Sequence, residues 1–303
     1  MKRSRLVALI FLVACVGAGV LFARRYSGRG YYERGRRGEP RRGVPDWTPD
    51  KEFSHDVFTF VRIRYSSGYG GGFYGGGYDG RRGRGRGYGG GFGGGNWATD
   101  YPDSDLNFSF RLHQLTSMKV DPEGIVLELT SPELSNYPFI YMLEVGRLVF
   151  SDEEVKALRK YLLNGGFLMV DDFWGDDAWD NFYYEIKRVF PDREPVNVGL
   201  DDPSRIFKTP FSLKKIPQIP SIDQAIYGRP YGITWEDHGP GSQTPHYRAI
   251  KDSKGRMMVF ICHNTDLGDG WEREGENEWY FHEFSEKKAY PLGINIVFYA
   301  MTH

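Results

Sequence analysis

From residue 58 onward, short apolar runs alternate with amphipathic stretches. Residues 58–65 (FTFVRIRY) alternate apolar and polar positions with β-branched and aromatic side chains, which predicts a strand. Ser104 is placed to cap a helix running to about residue 116, although Leu106, Phe108, Phe110 and Leu112 also keep a strand period. Residues 124–129 and 139–143 read as short apolar strands. Ser151 with Glu154 three residues on is a capping box. Val155, Leu158, Tyr161 and Leu162 form the apolar face of the helix it opens, and Asn164-Gly165-Gly166 stops it. A buried strand, 167–170 (FLMV), follows at once and ends in Asp171-Asp172. A second amphipathic helix then runs from about 177 to 190, with Trp179, Phe182, Tyr183, Ile186, Val189 and Phe190 on one side.

Strand, helix, strand, helix at this spacing is the mark of an α/β fold with a mainly parallel sheet and right-handed crossovers. After a poorly patterned stretch over 191–230, residues 247–250 and 257–261 flank the turn Asp252-Ser253-Lys254-Gly255 and predict a β-hairpin. Its second strand leads into Cys262-His263-Asn264. A closing helix is expected over about 291–301.

The N-terminal part has another character. Lys2, Arg3 and Arg5 precede an uncharged apolar run of 18 residues, 6–23, at the lower edge of what spans a bilayer as a helix. Cleavage as a signal peptide, retention as a membrane anchor, and lipidation at Cys15 within Leu12-Val13-Ala14-Cys15 all remain open; the apolar run continuing past Cys15 argues against the last. The eight arginines at 24–42 pull the orientation toward a cytoplasmic body, whereas a charged start, apolar centre and long C-terminal region is the common export arrangement. The expectation is a membrane-associated, extracytoplasmic protein of the cell envelope. Residues 24–52, rich in Arg, Gly and Pro, read as a disordered linker. Residues 68–95 hold 17 of the 39 glycines, interleaved with aromatics and arginines, and fall as an insertion between the first strand and first helix. Such composition can bind RNA, but composition alone carries little specificity and nucleic acid is an unlikely partner.

The overall net charge of −1 conceals this division: residues 96–303 carry 33 acidic against 21 basic residues. Cys15 and Cys262 cannot build a disulfide framework, and no Cys/His spacing suggests structural zinc.

Five blocks in order carry a family resemblance: 58–66, 97–102 (WATDYP), 165–174 (GGFLMVDDFW), 262–271 (CHNTDLGDGW) and 290–303 (YPLGINIVFYAMTH). Together they resemble the bacterial domain of unknown function family 4159, over roughly residues 54–303. Through that family the chain is distantly similar to the class I glutamine amidotransferase-like fold and its trehalose-utilisation-protein relatives. The resemblance implies a flavodoxin-like three-layer sandwich, an export or membrane segment and an envelope setting, and no activity.

In an open parallel sheet ligands sit beyond the carboxyl ends of the strands. That rule gathers Tyr65, Ser66, Glu144, Asp171, Asp172, Trp174, His263, Asn264, Asp266, Asp269 and Trp271. Asp171, Asp172, His263 and Asp266 are the candidates for acid/base or metal-assisted chemistry; Glu144, Trp174, Asn264, Asp269 and Trp271 are the candidates for ligand binding. A divalent cation suits the oxygen donors, and carboxylates beside aromatic faces suit a carbohydrate or an envelope protein partner. The competing structural reading is that Asp171-Asp172 caps the next helix, that His263 is a satisfied sheet-end histidine and that the tryptophans are packing residues. An amidotransferase needs an activated cysteine after the fourth strand, where this chain has Asp171-Asp172. A binding or assembly module is therefore the first expectation, and a carboxylate- or metal-dependent hydrolase the second.

Overall fold

The computed structural model describes residues 44–49, 56–67 and 96–303. The folded body begins at Asp46. The apolar leader with Cys15, most of the linker and the glycine-rich insertion lie outside the described residues. Among the described residues no helix is long and apolar enough to cross a membrane.

Seven strands form one sheet: β1 (Val61–Ile63), β2 (Ile125–Leu127), β3 (Phe139–Leu143), β4 (Phe167–Asp171), β5 (Val196–Asn197), β6 (His246–Lys251) and β7 (Met257–His263). Their order is β2-β1-β3-β4-β7-β6-β5. The first five positions are parallel throughout, while β6 is antiparallel to β7 and β5 antiparallel to β6. The parallel part is a doubly wound sheet whose direction of growth reverses between β1 and β3. The expected mainly parallel three-layer α/β sandwich is therefore the fold, with the hairpin β6–β7 extending it.

Buried strands such as FIYML and MMVFICH are apolar on both sides because helices cover both faces. On one face Phe60, Tyr141, Met169, Phe260 and Cys262 pack with Phe108, Trp271 and Ile296. These come from α1 (Asp103–Leu115), α5 (Leu267–Glu272) and α6 (Tyr290–Thr302). On the other face Ile63, Met142, Val170 and Ile261 pack with Leu158, Leu162, Phe182 and Ile186 of α2 (Asp152–Leu163) and α3 (Gly175–Val189). The two periods are in phase within a strand: residues 167, 169 and 171 face one layer, 168 and 170 the other.

Several expectations shift at their edges. The first strand shortens to Val61–Ile63, with Phe58 keeping a single bridge to Val120. The first helix starts at Asp103, so Ser104 lies inside it and is buried. The poorly patterned stretch contains β5 and α4 (Ile222–Gly228). The closing helix is preceded by a nine-residue π-helical segment, Phe281–Ala289, and the short α5 was not anticipated. The capping box is formed in full: Ser151 Oγ accepts from the Glu154 amide at 3.2 Å and Glu154 Oε2 from the Ser151 amide at 2.8 Å. Ser151→Ala should lower unfolding free energy by about 1 kcal/mol with an unchanged m-value, read from urea denaturation.

Candidate functional site

The site lies at the carboxyl ends of β1, β3, β4 and β7, around the point where the sheet changes direction. Four of the five non-glycine residues with left-handed backbone among the described residues stand here: Asp100 (φ 59°), Glu144 (φ 48°), Asp172 (φ 49°) and Asn264 (φ 60°). Such conformations are held only where surrounding contacts over-determine them, and they concentrate at functional positions.

The loop after β1 is organised by Arg62. Its guanidinium is fully buried and all its N–H groups point at acceptors. Nε donates to Asp105 Oδ2 at 3.0 Å and Nη2 to Asp105 Oδ1 at 2.5 Å and Ser104 Oγ at 2.9 Å. Nη1 donates to the Trp97 and Thr99 carbonyls at 3.0 and 2.9 Å. One side chain on β1 thus ties together the loop and the first turn of α1, and Asp100 projects between the tied points. Asp100 Oδ2 is buried without a hydrogen-bond partner.

Asp171 ends β4, fully buried. Its Oδ2 accepts from Tyr141 Oη at 3.0 Å and from the amides of Leu267 and Gly268 at 2.9 and 3.1 Å, while Oδ1 has no partner. It therefore serves the first turn of α5, across the sheet, and the expectation that it caps the helix following β4 is corrected: that helix, α3, starts from Trp174 without a side-chain cap. Asp266 is the N-cap of α5, accepting from the Asp269 amide at 2.7 Å. Asp172 is turned by its left-handed backbone toward the rim, where its Oδ1 accepts from Trp174 Nε1 at 3.1 Å. Gly268 makes the close approach possible: a Cβ there would stand 2.5 Å from Asp100 Oδ2 and 3.3 Å from Asp266 Oδ1.

The result is convergence. Carboxylate oxygens of Asp100, Asp172 and Asp266 lie within 4.8 Å of one another, as do those of Asp100, Asp269 and Glu272. Burial, then neighbouring carboxylates, hold the carboxyls of Asp100, Asp172 and Asp266 well above the usual range. Burial likewise raises Asp171 to about 7 against the hydrogen bonds from Tyr141 and the α5 amides, and Asp269 to about 7 with Glu272 adding to it and Arg273 opposing. Glu144 accepts from Thr99 Oγ1 at 3.1 Å. On the far side, Glu236 Oε1 accepts from the Ser221 amide at 2.6 Å, and Oε2 lies 3.3 Å from His238 Nε2. That pairing raises the His238 pKa, and its exposed ring stacks 6.3 Å from Trp174.

Other anticipated residues are spent on structure. Tyr65 Oη donates to the Leu143 and Glu144 carbonyls at 2.7 and 3.0 Å. Asn264 is buried and saturated: Oδ1 accepts from the Gly175 amide, and Nδ2 donates to the Gly241 and Thr244 carbonyls. Trp271 is a core residue, 4.4 Å from the Phe108 ring centroid, and offers no open face. His263 stands on the other face of the sheet from Asp171, stacked on Phe173 at 4.8 Å. Its Nε2 is 3.0 Å from the Gly175 carbonyl, which only accepts, and its Nδ1 is 3.3 Å from Arg248 Nη1, which only donates. These partners require the neutral Nε2–H tautomer, and burial lowers the pKa to about 4. His263 has no free nitrogen for proton transfer and does not join the carboxylates. Cys262 is buried in the core, its thiol raised by burial and by Asp171, which removes it as a nucleophile.

Sequence reasoning missed Asp100, Glu272, Tyr141, Glu236 and His238. Asp100 lies in the WATDYP block, which carried family resemblance but no chemistry of its own; the signal was a carboxylate just before a helix that follows a strand end.

A family model for a domain of unknown function, DUF4159, matches residues 87–301. The chain belongs to that family. No curated protein matches it. The matched region contains Asp100, Glu144, Asp171, Asp172, Asp266, Asp269 and Glu272, so the whole carboxylate rim lies within it, while Arg62, which orders the loop holding Asp100, lies ahead of the match.

Two predictions follow from this geometry. Replacing Arg62 by Met leaves Asp105 buried and unpaired and should cost about 3–5 kcal/mol in urea unfolding; Arg62→Lys should not restore it, because an ammonium cannot serve the fork and two carbonyls together. For the cation-free protein the sign of the pH dependence is set by carboxyls that ionise near 4 when unfolded and near 7 when folded. The folded state binds more protons between those values, so stability falls as pH rises from about 4 through about 7. Melting temperature should be several degrees higher at pH 5.5 than at pH 8, and Asp269→Asn should flatten that slope.

Proposed function

We propose that this DUF4159 protein is an exported or membrane-anchored envelope protein whose α/β domain binds a divalent cation through Asp100, Asp172 and Asp266, and through it an oxygen-rich ligand such as a carbohydrate or an envelope partner. The observation that carries the reading is the convergence of three carboxylates from three separate loops, none of them in an ion pair among the described residues. Arg62, whose field reaches Asp100, spends its donors on Asp105, Ser104 and loop carbonyls. Like charges brought this close in a buried setting are stable only with shared protons or with a cation, and hard oxygen donors on a rigid rim select calcium, magnesium or manganese over thiophilic metals. Asp269 and Glu272, grouped with the same Asp100, supply further oxygens. The apolar segment 6–23 supports membrane targeting.

A second reading, metal-assisted hydrolysis, is favoured by the Glu236–His238 pair: an imidazole kept basic by a carboxylate and exposed beside Trp174 is a fitting proton carrier next to a cation. Hydrolysis of p-nitrophenyl esters or phosphates that needs the cation and is lost in His238→Gln, with cation binding intact, would select it over the binding module.

The cation itself is tested on the purified full chain. Calcium, magnesium or manganese should raise the melting temperature at pH 8 and bind at one equivalent per chain in calorimetry. Asp172→Asn or Asp266→Asn should weaken that binding by about tenfold or more. No retained metal and no thermal shift with any of the three ions would overturn the reading.

A further inference from the structure

A second charged feature occupies the same rim on the opposite face of the sheet, and it is cationic. Arg248 and His246 lie two residues apart on β6 and so share a face; His246 pairs in register with His263 at the end of β7. The Arg248 guanidinium stacks on Trp179 of α3, its Cζ 3.8 Å from the ring centroid, and Nη1 meets His263 Nδ1 at 3.3 Å. His263 is itself fixed by the Gly175 carbonyl at 3.0 Å and by stacking on Phe173. Behind Arg248, then, stand an aromatic face and a neutral imidazole locked as an acceptor, which orient the guanidinium without neutralising it.

Its lack of a carboxylate sets it apart from the other arginines that are not exposed. Arg62, Arg111, Arg188, Arg256 and Arg273 each hold an acidic partner, in a region with twelve more acidic than basic residues. Arg248, half-buried, forms no ion pair among the described residues, and burial alone lowers its pKa, with no carboxylate acting on it. Asp176, at the start of α3, acts on His246 but does not bond Arg248. The His246 ring lies 5.7 Å from that of His263 and its nitrogens have no hydrogen-bond partner among the described residues. A fixed guanidinium fork on an aromatic ring, with donors left over and an unengaged imidazole beside it, is what recognition of a planar or tetrahedral oxyanion requires.

We infer that Arg248 and His246, supported by Trp179 and His263, form an oxyanion-binding subsite that takes a phosphate or carboxylate group of a ligand. The Arg248 fork contacts two anion oxygens and His246 a third position. The subsite is independent of the cation at the acidic rim, since none of its residues belongs to that cluster.

The test uses the full chain in detergent, in buffer freed of divalent ions by a chelating resin, so that cation binding plays no part. Inorganic phosphate is titrated by calorimetry at constant ionic strength held with chloride, and acetate in a parallel series to separate a phosphate from a carboxylate preference. Saturable binding of one equivalent of either probe is expected, weakened about tenfold or more in Arg248→Gln. Arg229→Gln should leave it unchanged; Arg229 also stacks on a tryptophan, Trp279 at 4.2 Å, but is exposed and lacks the histidine support. His246→Gln, which leaves Arg248 and its support in place, should weaken binding severalfold without moving the melting temperature, and it decides the matter if Arg248→Gln fails to fold. Absence of saturable binding of both probes, or equal binding by wild type and these two variants, would overturn the proposal.

Discussion

The rim depends on one buried cation. Arg62 sits on β1, between β2 and β3, with no exposure to water, and its ion-pair partner is Asp105. A buried pair of this kind gains little over apolar residues of the same shape. What distinguishes it is the use of every remaining donor on the chain between residues 97 and 104. Because the guanidinium is planar and its strand is fixed by neighbours on both sides, residues 97–102 have a single way to meet α1. The left-handed Asp100 is a consequence of that geometry, and its carboxylate is delivered to the gap between β1, β3 and the first turn of α5.

Two opposite charge environments share the carboxyl end of the sheet because pleating sends successive residues to opposite faces. On β4, residue 171 points to the layer of α1, α5 and α6; on β7, residue 263 points to the layer of α2 and α3, with Cys262 on the side of Asp171. Carboxylates therefore collect over one layer and the histidine and arginine over the other, separated by backbone only a few ångströms thick.

Much of the architecture was legible in residue patterns. The capping box at Ser151 and Glu154, the run 139–143, the strand closing in Asp171 and the hairpin around Asp252 each carried a strong local signal that tertiary packing had no reason to override. Family resemblance through five ordered blocks was equally readable, because long blocks in order are specific. What was not legible depended on register. Placing Asp171 and His263 on one rim was correct, but whether they face each other turns on a one-residue parity between adjacent strands, which periodicity within either strand alone does not reveal. Trp271 looked like a ligand platform because it follows the acidic loop; the six-residue helix α5 turns it back into the core. Asp100 was passed over for the opposite reason: its local mark, a carboxylate just before a helix, is weak, and it becomes notable because Arg62, thirty-eight positions earlier, holds its loop.

Folding such a rim without a bound cation runs against electrostatics, and the neighbouring groups show how the cost is limited. Asp171 is not left bare: two amides at the N-terminus of α5 and the Tyr141 hydroxyl meet one of its oxygens, so part of its charge is absorbed by dipoles already aligned. Asp266 spends an oxygen on the same helix, and Asp269 and Glu272 lean on Arg273. These devices satisfy individual oxygens and leave others, Asp100 Oδ2 and Asp171 Oδ1 among them, buried and without a donor. A fold under pressure only for stability has no use for the oxygens left without a donor. Keeping several acidic side chains where each opposes the ionisation of the next makes sense when the cost is recovered on binding, and a hard cation, which needs many oxygens and tolerates their irregular placement, recovers it most directly.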